Sequence, residues 1–220
     1  MYLKSEKSLT RRAEQARALR ESILDRAMIM MAEKGYSGTR LEDVAADLQV
    51  TRGAIYRHFK NKPSLYREIL TCSQAPLYEV LDQALASPGL GALGRLEKFM
   101  NDWLDLLFSN SRHRYSTEIF LNKSEMIPEV EDVYQEEVRL TNRLIDGLET
   151  IFRQGLEDGE IALGQDPRQG GLLVYSQLMG LMQTWLFNPR LFDLASEKEA
   201  LIRPFLQSFT TSTPRSGGIL

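Results

Sequence analysis

Residues 35–70 read GYSGTRLEDVAADLQVTRGAIYRHFKNKPSLYREIL, and two short amphipathic helices can be picked out within them. In the first, Leu41, Val44, Ala45 and Leu48 recur at i, i+3, i+4 and i+7, the spacing of one helix face. Thr39, followed three residues later by Glu42, has the form of a capping box and is expected to open this helix. Thr51 is a good N-cap for a second helix running through Phe59. Only Gln49 and Val50 separate the two, and so tight a turn between short helices is the helix-turn-helix pattern. With Ile55 as the centre of the buried face, Ala54 and Phe59 also point inward, while Arg52, Gly53, Tyr56 and Arg57 point outward. The outward set suits duplex DNA: arginines for guanine edges or phosphates, a tyrosine hydroxyl for a phosphate, and a glycine that permits close approach. Lys60 and Lys62 extend the positive edge. The second helix is therefore expected to enter the major groove.

Upstream, residues 1–10 carry no clear pattern and read as a mobile arm. Helix formers dominate from Arg11 to Lys34, where Leu19, Ile23, Ala27, Met30 and Met31 form one apolar stripe ending at Gly35. Gly38 loosens the turn that follows. Downstream, Pro63 suits the first turn of a helix. Further helices are expected over 63–86, 92–109, 112–123, 127–158, 167–187 and 197–211, with breaks at Ser87-Pro88-Gly89, Ser109-Asn110, Ile127-Pro128, Gly159 to Pro167, and Asn188-Pro189. No alternating strand pattern occurs. The fold class is all-α with about nine helices. A three-helix DNA-binding domain is expected over 11–62, a helical ligand-binding and dimerisation domain over 63–211, and a disordered polar tail over 212–220.

Charge supports this division. The net charge of −3 splits into 13 Lys+Arg against 8 Asp+Glu in residues 1–62 and 14 against 22 in the remainder, or +5 and −8. A basic first quarter is the part suited to a polyanion. No apolar run approaches the ~18 residues that span a bilayer. The N-terminus is charged and lacks the apolar core of a signal peptide, so no membrane association and a cytoplasmic location are expected. The single cysteine, Cys72, rules out an internal disulfide and a Cys-based zinc cage. The sequence has two histidines, His58 and His113, no glycine-rich phosphate loop and no HExxH spacing. An enzyme is not expected, and no cofactor.

The stretch quoted above resembles the DNA-binding signature of the tetracycline-repressor (TetR) family, most specifically in TRGAIYRHFKNK over 51–62. The resemblance implies that Thr39 bonds a phosphate while capping its helix, with Arg40 beside it. Thr51, Arg52, Gly53 and Arg57 would face bases or nearby backbone, and Tyr56, His58 and Lys62 would hold phosphates. Two positions depart from the family pattern. Gln49 stands where glycine is usual, and Arg57 replaces a common aromatic.

Such repressors read DNA as dimers on half-sites about 34–36 Å apart, so the chain needs a dimer surface. Leu172, Leu173, Leu178, Leu181, Trp185 and Leu186, continued by Leu201, Phe205, Leu206 and Phe209, are apolar on more than one helix side and are expected to supply a homodimer interface. Other stripes gather Phe99, Met100, Trp103 and Leu107; Thr117 and Leu121; Leu144 and Leu148; and Tyr175, Met179, Met182 and Gln183. Periodicity alone fits ordinary core as well as a pocket. The segments TEIFLNKSE (117–125) and GLMQTWLFNPRLFDL (180–194) resemble the C-terminal half of multidrug-efflux repressors of the AcrR and TtgR type. That resemblance implies a pocket lined by Phe99, Met100, Trp103, Thr117, Leu121, Leu144, Leu148, Tyr175, Met179 and Gln183. It puts Gln74 where such repressors carry an acid for cationic drugs, with Glu118 as another source of charge. Met126 and Pro128 depart from the pattern.

The function expected is a ligand-responsive repressor of a multidrug-efflux operon, released from a palindromic double-stranded DNA operator by a small apolar or aromatic effector. The alternatives are a regulator of a metabolic or catabolic operon sensing a fatty acyl or aromatic metabolite, and a helical ligand carrier. A helix continuous from Pro63 past Gln74 would act as the lever between sensor and reading head.

Overall fold

Helix formers without an internal glycine or proline carry α1 over Tyr2–Lys34 until Gly35, at φ 74°, turns the chain out of the helix. The computed structural model describes residues 2–123, 128–162 and 164–210, without the side chains of residues 2–9 and 123. The polar tail 212–220, the end of the 117–125 segment, Met126 and the Ile127 side of the expected break lie outside the described residues. Residues 2–10 are helical, so the stretch read as a mobile arm is the first part of α1.

The remaining helices are α2 (Leu41–Asp47), α3 (Arg52–His58), α4 (Lys62–Thr71), α5 (Gln74–Leu85), α6 (Ala92–Ser109), α7 (Ser111–Glu118), α8 (Glu131–Glu157), α9 (Pro167–Phe187) and α10 (Leu194–Gln207). A π-helical turn, Ile119–Lys123, extends α7, and a 3₁₀ turn, Pro128–Val130, precedes α8. The fold is all-α, as expected. The one extended pairing among the described residues is an isolated bridge between Ile161 and Thr210.

One expected helix is two. The segment read as continuous over 63–86 breaks after Thr71, and Pro76 accounts for it. A helix through this point would need the Pro76 N–H to bond the Cys72 carbonyl, and the proline ring would collide with that carbonyl. Two carbonyls in the last turn of α4 find partners. Cys72 N–H bonds the Ile69 carbonyl at 3.1 Å, Ser73 Oγ donates to Leu70 at 3.2 Å, and the buried Ser116 Oγ donates to Ile69 at 2.7 Å. At the other end of α4, Asn61 and Ser64 form a reciprocal capping box ahead of Pro63.

The helices sort into two compact units, 1–73 with 112–134, and 74–111 with 135–220. The expected boundary at residue 62 therefore falls inside the first unit. Leu65, Tyr66, Ile69 and Leu70 of α4 are buried with Ile23, Ala27 and Met31 of α1, Val44 of α2 and Ile55 of α3 in a single core. Val130 and Val133, at the entry to α8, close the same core. Arg112 links α7 to α1 through Asp25 at 2.6 Å and Glu21 at 2.6 Å. The second unit has its own core, in which Phe99, Met100 and Leu104 of α6, Leu140, Leu144, Leu148 and Phe152 of α8, Val174, Leu178 and Met182 of α9, and Ile202 of α10 are buried. Gly170 permits the approach of α9 to α8, since a Cβ there would lie 2.5 Å from the Phe152 ring.

His113 is fully buried in the first unit, and burial pushes its pKa down to about 4 against a weaker upward pull from the Ser73 backbone. The folded chain thus holds the imidazole neutral, while the unfolded chain takes up a proton below about pH 6.5. Stability from this group is complete above the unfolded pKa and declines as pH falls towards 4, by on the order of 3 kcal/mol. Urea unfolding across this range should show the decline, and His113→Gln should remove most of it. An equally steep slope in the variant would reject His113 as the cause.

Candidate functional site

Seven-residue helices do not persist alone, so α3 takes its orientation from what it buries. Ile55 is fully buried, Ala54 and Phe59 are buried, and the Arg20 guanidinium of α1 lies 4.9 Å from the Phe59 ring centre. Arg20 is held in turn by a two-toothed pair with Glu68 of α4, at 2.7 and 2.5 Å. The Thr51 side chain accepts the Ala54 N–H at 3.2 Å and caps the helix as expected. The turn before it is a Schellman motif: Gln49 N–H bonds Ala46 and Val50 N–H bonds Ala45. Gln49 sits at φ 55°, the only positive φ of a non-glycine residue among those described, so the glycine usual at this point is replaced at a backbone cost of up to about 1 kcal/mol.

Arg52, Gly53, Tyr56 and Arg57 are exposed on the outward face of α3, with Thr51 and Lys60 exposed at its ends. Arg52 pairs with Glu42 of α2 at 2.9 Å and lies against the Tyr56 ring at 5.2 Å. Arg57 Nε reaches the Gly53 carbonyl at 3.4 Å. His58 is half-buried, and with Arg57 it edges an open groove of about 390 Å³ against Gln15, Ala16 and Leu19 of α1. Lys62 is half-buried with its ammonium 3.9 Å from the Tyr36 ring centre. A Cβ on Gly53 would meet nothing nearer than the Thr51 hydroxyl at 3.9 Å, so packing does not require glycine there.

Thr39 differs from expectation. It is fully buried and its hydroxyl donates to the Gly35 carbonyl at 3.0 Å, so it neither caps α2 nor presents a hydroxyl at the surface. The N-cap is Arg40, exposed and without a side-chain cap, and Glu42 is paired with Arg52 instead of closing a capping box. The absence of Cβ at Gly38, which would sit 2.4 Å from the Lys34 carbonyl, lets the chain fold back tightly enough to bury Thr39.

The expected effector residues divide between the units. Thr117, Glu118 and Leu121 belong to the first, with Thr117 buried and the others half-buried. In the second unit, Phe99, Met100, Trp103, Leu107, Leu144 and Leu148 are buried, and Met179 is half-buried. Phe99 and Trp103 pack edge-on with ring centres 5.5 Å apart, and the Tyr175 ring lies 5.9 Å from Trp103. Tyr175 brings its hydroxyl within 3.4 Å of Thr141 Oγ1. Gln74 donates from Nε2 to Glu137 Oε1 at 2.9 Å. Neither Glu137 nor Thr141 was expected here. On a helix as charged as α8 their polar side chains read as solvated, although Glu137 stands seven residues before Leu144 and so on its face. Cys72, in the first unit, is half-buried, and burial pushes its thiol up to about 11, away from the thiolate form. Gln183 is exposed and does not join the group.

The expected dimer residues also divide. Leu178 and Phe209 are buried inside the second unit, Phe209 edge-on to Phe152 and Phe205, and are core residues. Leu181, Trp185, Leu186 and Phe205 are half-buried, with Trp185 edge-on to Phe108. The exposed face of α9 carries Leu172, Leu173, Ser176, Gly180, Gln183 and Phe187, the last 84% exposed, and Gly180 faces open space.

Residues 23–69 match the sequence profile of bacterial regulatory proteins of the tetR family, and residues 92–211 match the C-terminal region of MAATS-type transcriptional repressors. The chain belongs to the TetR family of bacterial transcriptional repressors. It is 30% identical over 197 residues to the HTH-type transcriptional regulator AcrR of Shigella flexneri, spanning 89% of this chain and 91% of AcrR. It is 24% identical over 189 residues to the HTH-type transcriptional regulator TtgR of Pseudomonas putida, spanning 86% and 90%. The crystal structure of NalD, the secondary repressor of the MexAB-OprM multidrug efflux pump in Pseudomonas aeruginosa, matches with a TM-score of 0.76 at 27% identity, covering 90% of this chain and 99% of NalD. Members of the TetR family are DNA-binding repressors without enzymatic activity, and they form dimers. No helix among the described residues is long and apolar enough to cross a membrane.

Two substitutions in this TetR reading head separate stability from DNA contact. Gln49→Gly should raise stability by up to about 1 kcal/mol by relieving the left-handed residue, with DNA affinity unchanged. Gly53→Ala should leave thermal stability unchanged or raised by about 0.5–1 kcal/mol, while weakening operator binding in a gel shift. Full DNA affinity in Gly53→Ala would remove Gly53 from the contact surface.

Proposed function

We propose that this chain represses a multidrug-efflux operon in the cytoplasm, binding a palindromic operator as a homodimer and leaving it when a small aromatic molecule occupies the second unit. The observation that carries this reading is the outward face of α3. Arg52, Gly53, Tyr56 and Arg57 are exposed on a helix whose other side is locked into a core. Arg57 and Arg52 read base edges or adjacent phosphates, and Tyr56, His58, Lys60 and Lys62 anchor the backbone. Arg40 joins them at the start of α2. The exposed face of α9, from Leu172 to Phe187, supplies the dimer contact. The row Phe99, Trp103 and Tyr175 supplies the aromatic wall for the effector, and likeness to AcrR and to the efflux-pump repressor NalD favours an efflux operon over a metabolic one.

The break at Cys72 moves the lever from α4 to α8. This 27-residue helix has its first turns in one unit and the rest in the other. Its N-terminal end is tied to α4 through Asp132, which accepts two bonds from Arg67 at 2.9 Å. Its later turns carry Glu137, Thr141, Leu144 and Leu148. An effector that prefers one placement of α8 biases α4 and the head, and only such a difference in affinity can shift the equilibrium.

Sequencing the genomic fragments captured by the purified protein tests this reading. The expected result is an inverted repeat upstream of transporter genes. Fragments without a common repeat would overturn it, and a repeat beside catabolic or lipid genes would reassign the operon. On the recovered operator, Arg57→Ala should cost about 1–3 kcal/mol and relax preference at one base position, whereas Tyr56→Phe should weaken all sequences alike.

A further inference from the structure

Helix α1 runs well past the core that it helps to build. Residues 10–18 are exposed, Leu19 is half-buried, and Ile23 is the first residue of the helix to be fully enclosed. At 1.5 Å per residue, the stretch from Tyr2 to Ala18 is about 25 Å long. Helices in proteins take most of their stability from a packed face, and the exposed turns of α1 have none in this unit.

The charges along this stretch are sorted by side. Gln15, Ala16 and Leu19 edge an open groove of about 390 Å³ whose other wall is Arg57 and His58 of α3. Arg12 stands one turn before Ala16, and Arg11 one turn before Gln15, so both continue the side of α1 that meets the recognition helix. The same register runs back through Ser8 to Lys4. The acids of the stretch, Glu6 and Glu14, fall on the opposite side, with Lys7 and Arg17. Elsewhere in this unit arginines are matched with acids: Arg20 with Glu68, Arg26 with Asp47, Arg67 with Asp132, and Arg112 with Glu21 and Asp25. No ion pair among the described residues holds Arg11, Arg12 or Arg57. An acid-free cationic row beside the reading helix suits a polyanion.

Dimensions decide which part of a duplex this row can meet. A helix with its side chains is about 10–12 Å across. The minor groove, about 6 Å wide, does not admit it, and the major groove, about 12 Å wide, is filled by α3. What is left to α1 is the sugar-phosphate strand that borders the major groove. Arginines laid on that strand meet phosphates and read no bases.

We infer that Arg11 and Arg12 make a second, sequence-independent DNA contact, in which the projecting turns of α1 lie across the phosphate strand beside α3, along the groove edged by Gln15, Arg57 and His58. This contact rests on the DNA-binding reading of α3 and adds phosphate anchors outside the helix-turn-helix.

The salt dependence of operator binding tests it, measured on the genomic fragment that the full-length protein captures most strongly. Each phosphate contact contributes about 0.9 to the slope of log affinity against log salt. The double variant Arg11→Gln, Arg12→Gln loses two contacts in each protomer of a dimer, so its slope should fall by about 3–4. The loss should be the same whatever bases flank the repeat. Arg17→Gln removes the same kind of charge from the opposite side of the same helix and should leave the slope as in the wild type. All these side chains are exposed, so both variants should melt at the wild-type temperature. An unchanged slope in the double variant, a fall per charge as large in Arg17→Gln, or a loss that varies with the flanking bases would overturn the assignment and leave the reading of α3 standing. If the wild-type chain captures no fragment, the DNA-binding reading falls and this contact with it.

Discussion

The burial of Ile55 and Phe59 is the constraint on which the reading head depends. Helix α3 has two turns and cannot pay for its own nucleation. It exists because Ile55 is fully enclosed and Phe59 nearly so, in a core shared by α1, α2 and α4. Removing a side chain of either kind from such a core costs about 2–5 kcal/mol. The exposed pair of Arg52 and Glu42 contributes about 0–1 kcal/mol. Apolar burial therefore sets where α3 points, and charge decorates a surface already fixed. With Ile55 facing inward, the pitch of the helix turns Gly53 and Arg57 to the opposite side, and Arg52 and Tyr56 are exposed beside them.

That part of the molecule was legible because it is local. The spacing of Leu41, Val44, Ala45 and Ile55, the Thr51 cap and the strained Gln49 all follow from neighbours within a few residues. Expectation and structure differ where a residue has two possible partners. Thr39 and Glu42 have the spacing of a capping box, but the Gly35 carbonyl and the Arg52 guanidinium compete for them and win. Pro76 was visible, yet its effect lies four residues upstream, at the Cys72 carbonyl. In the second unit, Leu178 and Phe209 have the same apolar character as Leu172 and Leu173, and only tertiary packing decides which pair is enclosed. Glu137 was hidden for the opposite reason: a carboxylate on a charged helix reads as solvated until its neighbours are known.

Helix α8 contributes residues to both units. Val133 is buried in the core that holds α3, Asp132 is bonded to Arg67 of α4, and the following turns carry the face that meets the aromatic row. The proposed function makes α8, with residues in both units, the element through which effector and operator compete.

Linkage gives the most direct measurement of this coupling. If DNA and effector bind competing states of one protein, each must weaken the other by the same factor. Effector affinity should be measured by calorimetry on the free protein and on the protein saturated with its operator, and operator affinity measured with and without saturating effector. The account predicts matched losses of about 5–150-fold in the two directions, the usual range of allosteric coupling. An effector that binds free and operator-bound protein equally well would contradict it.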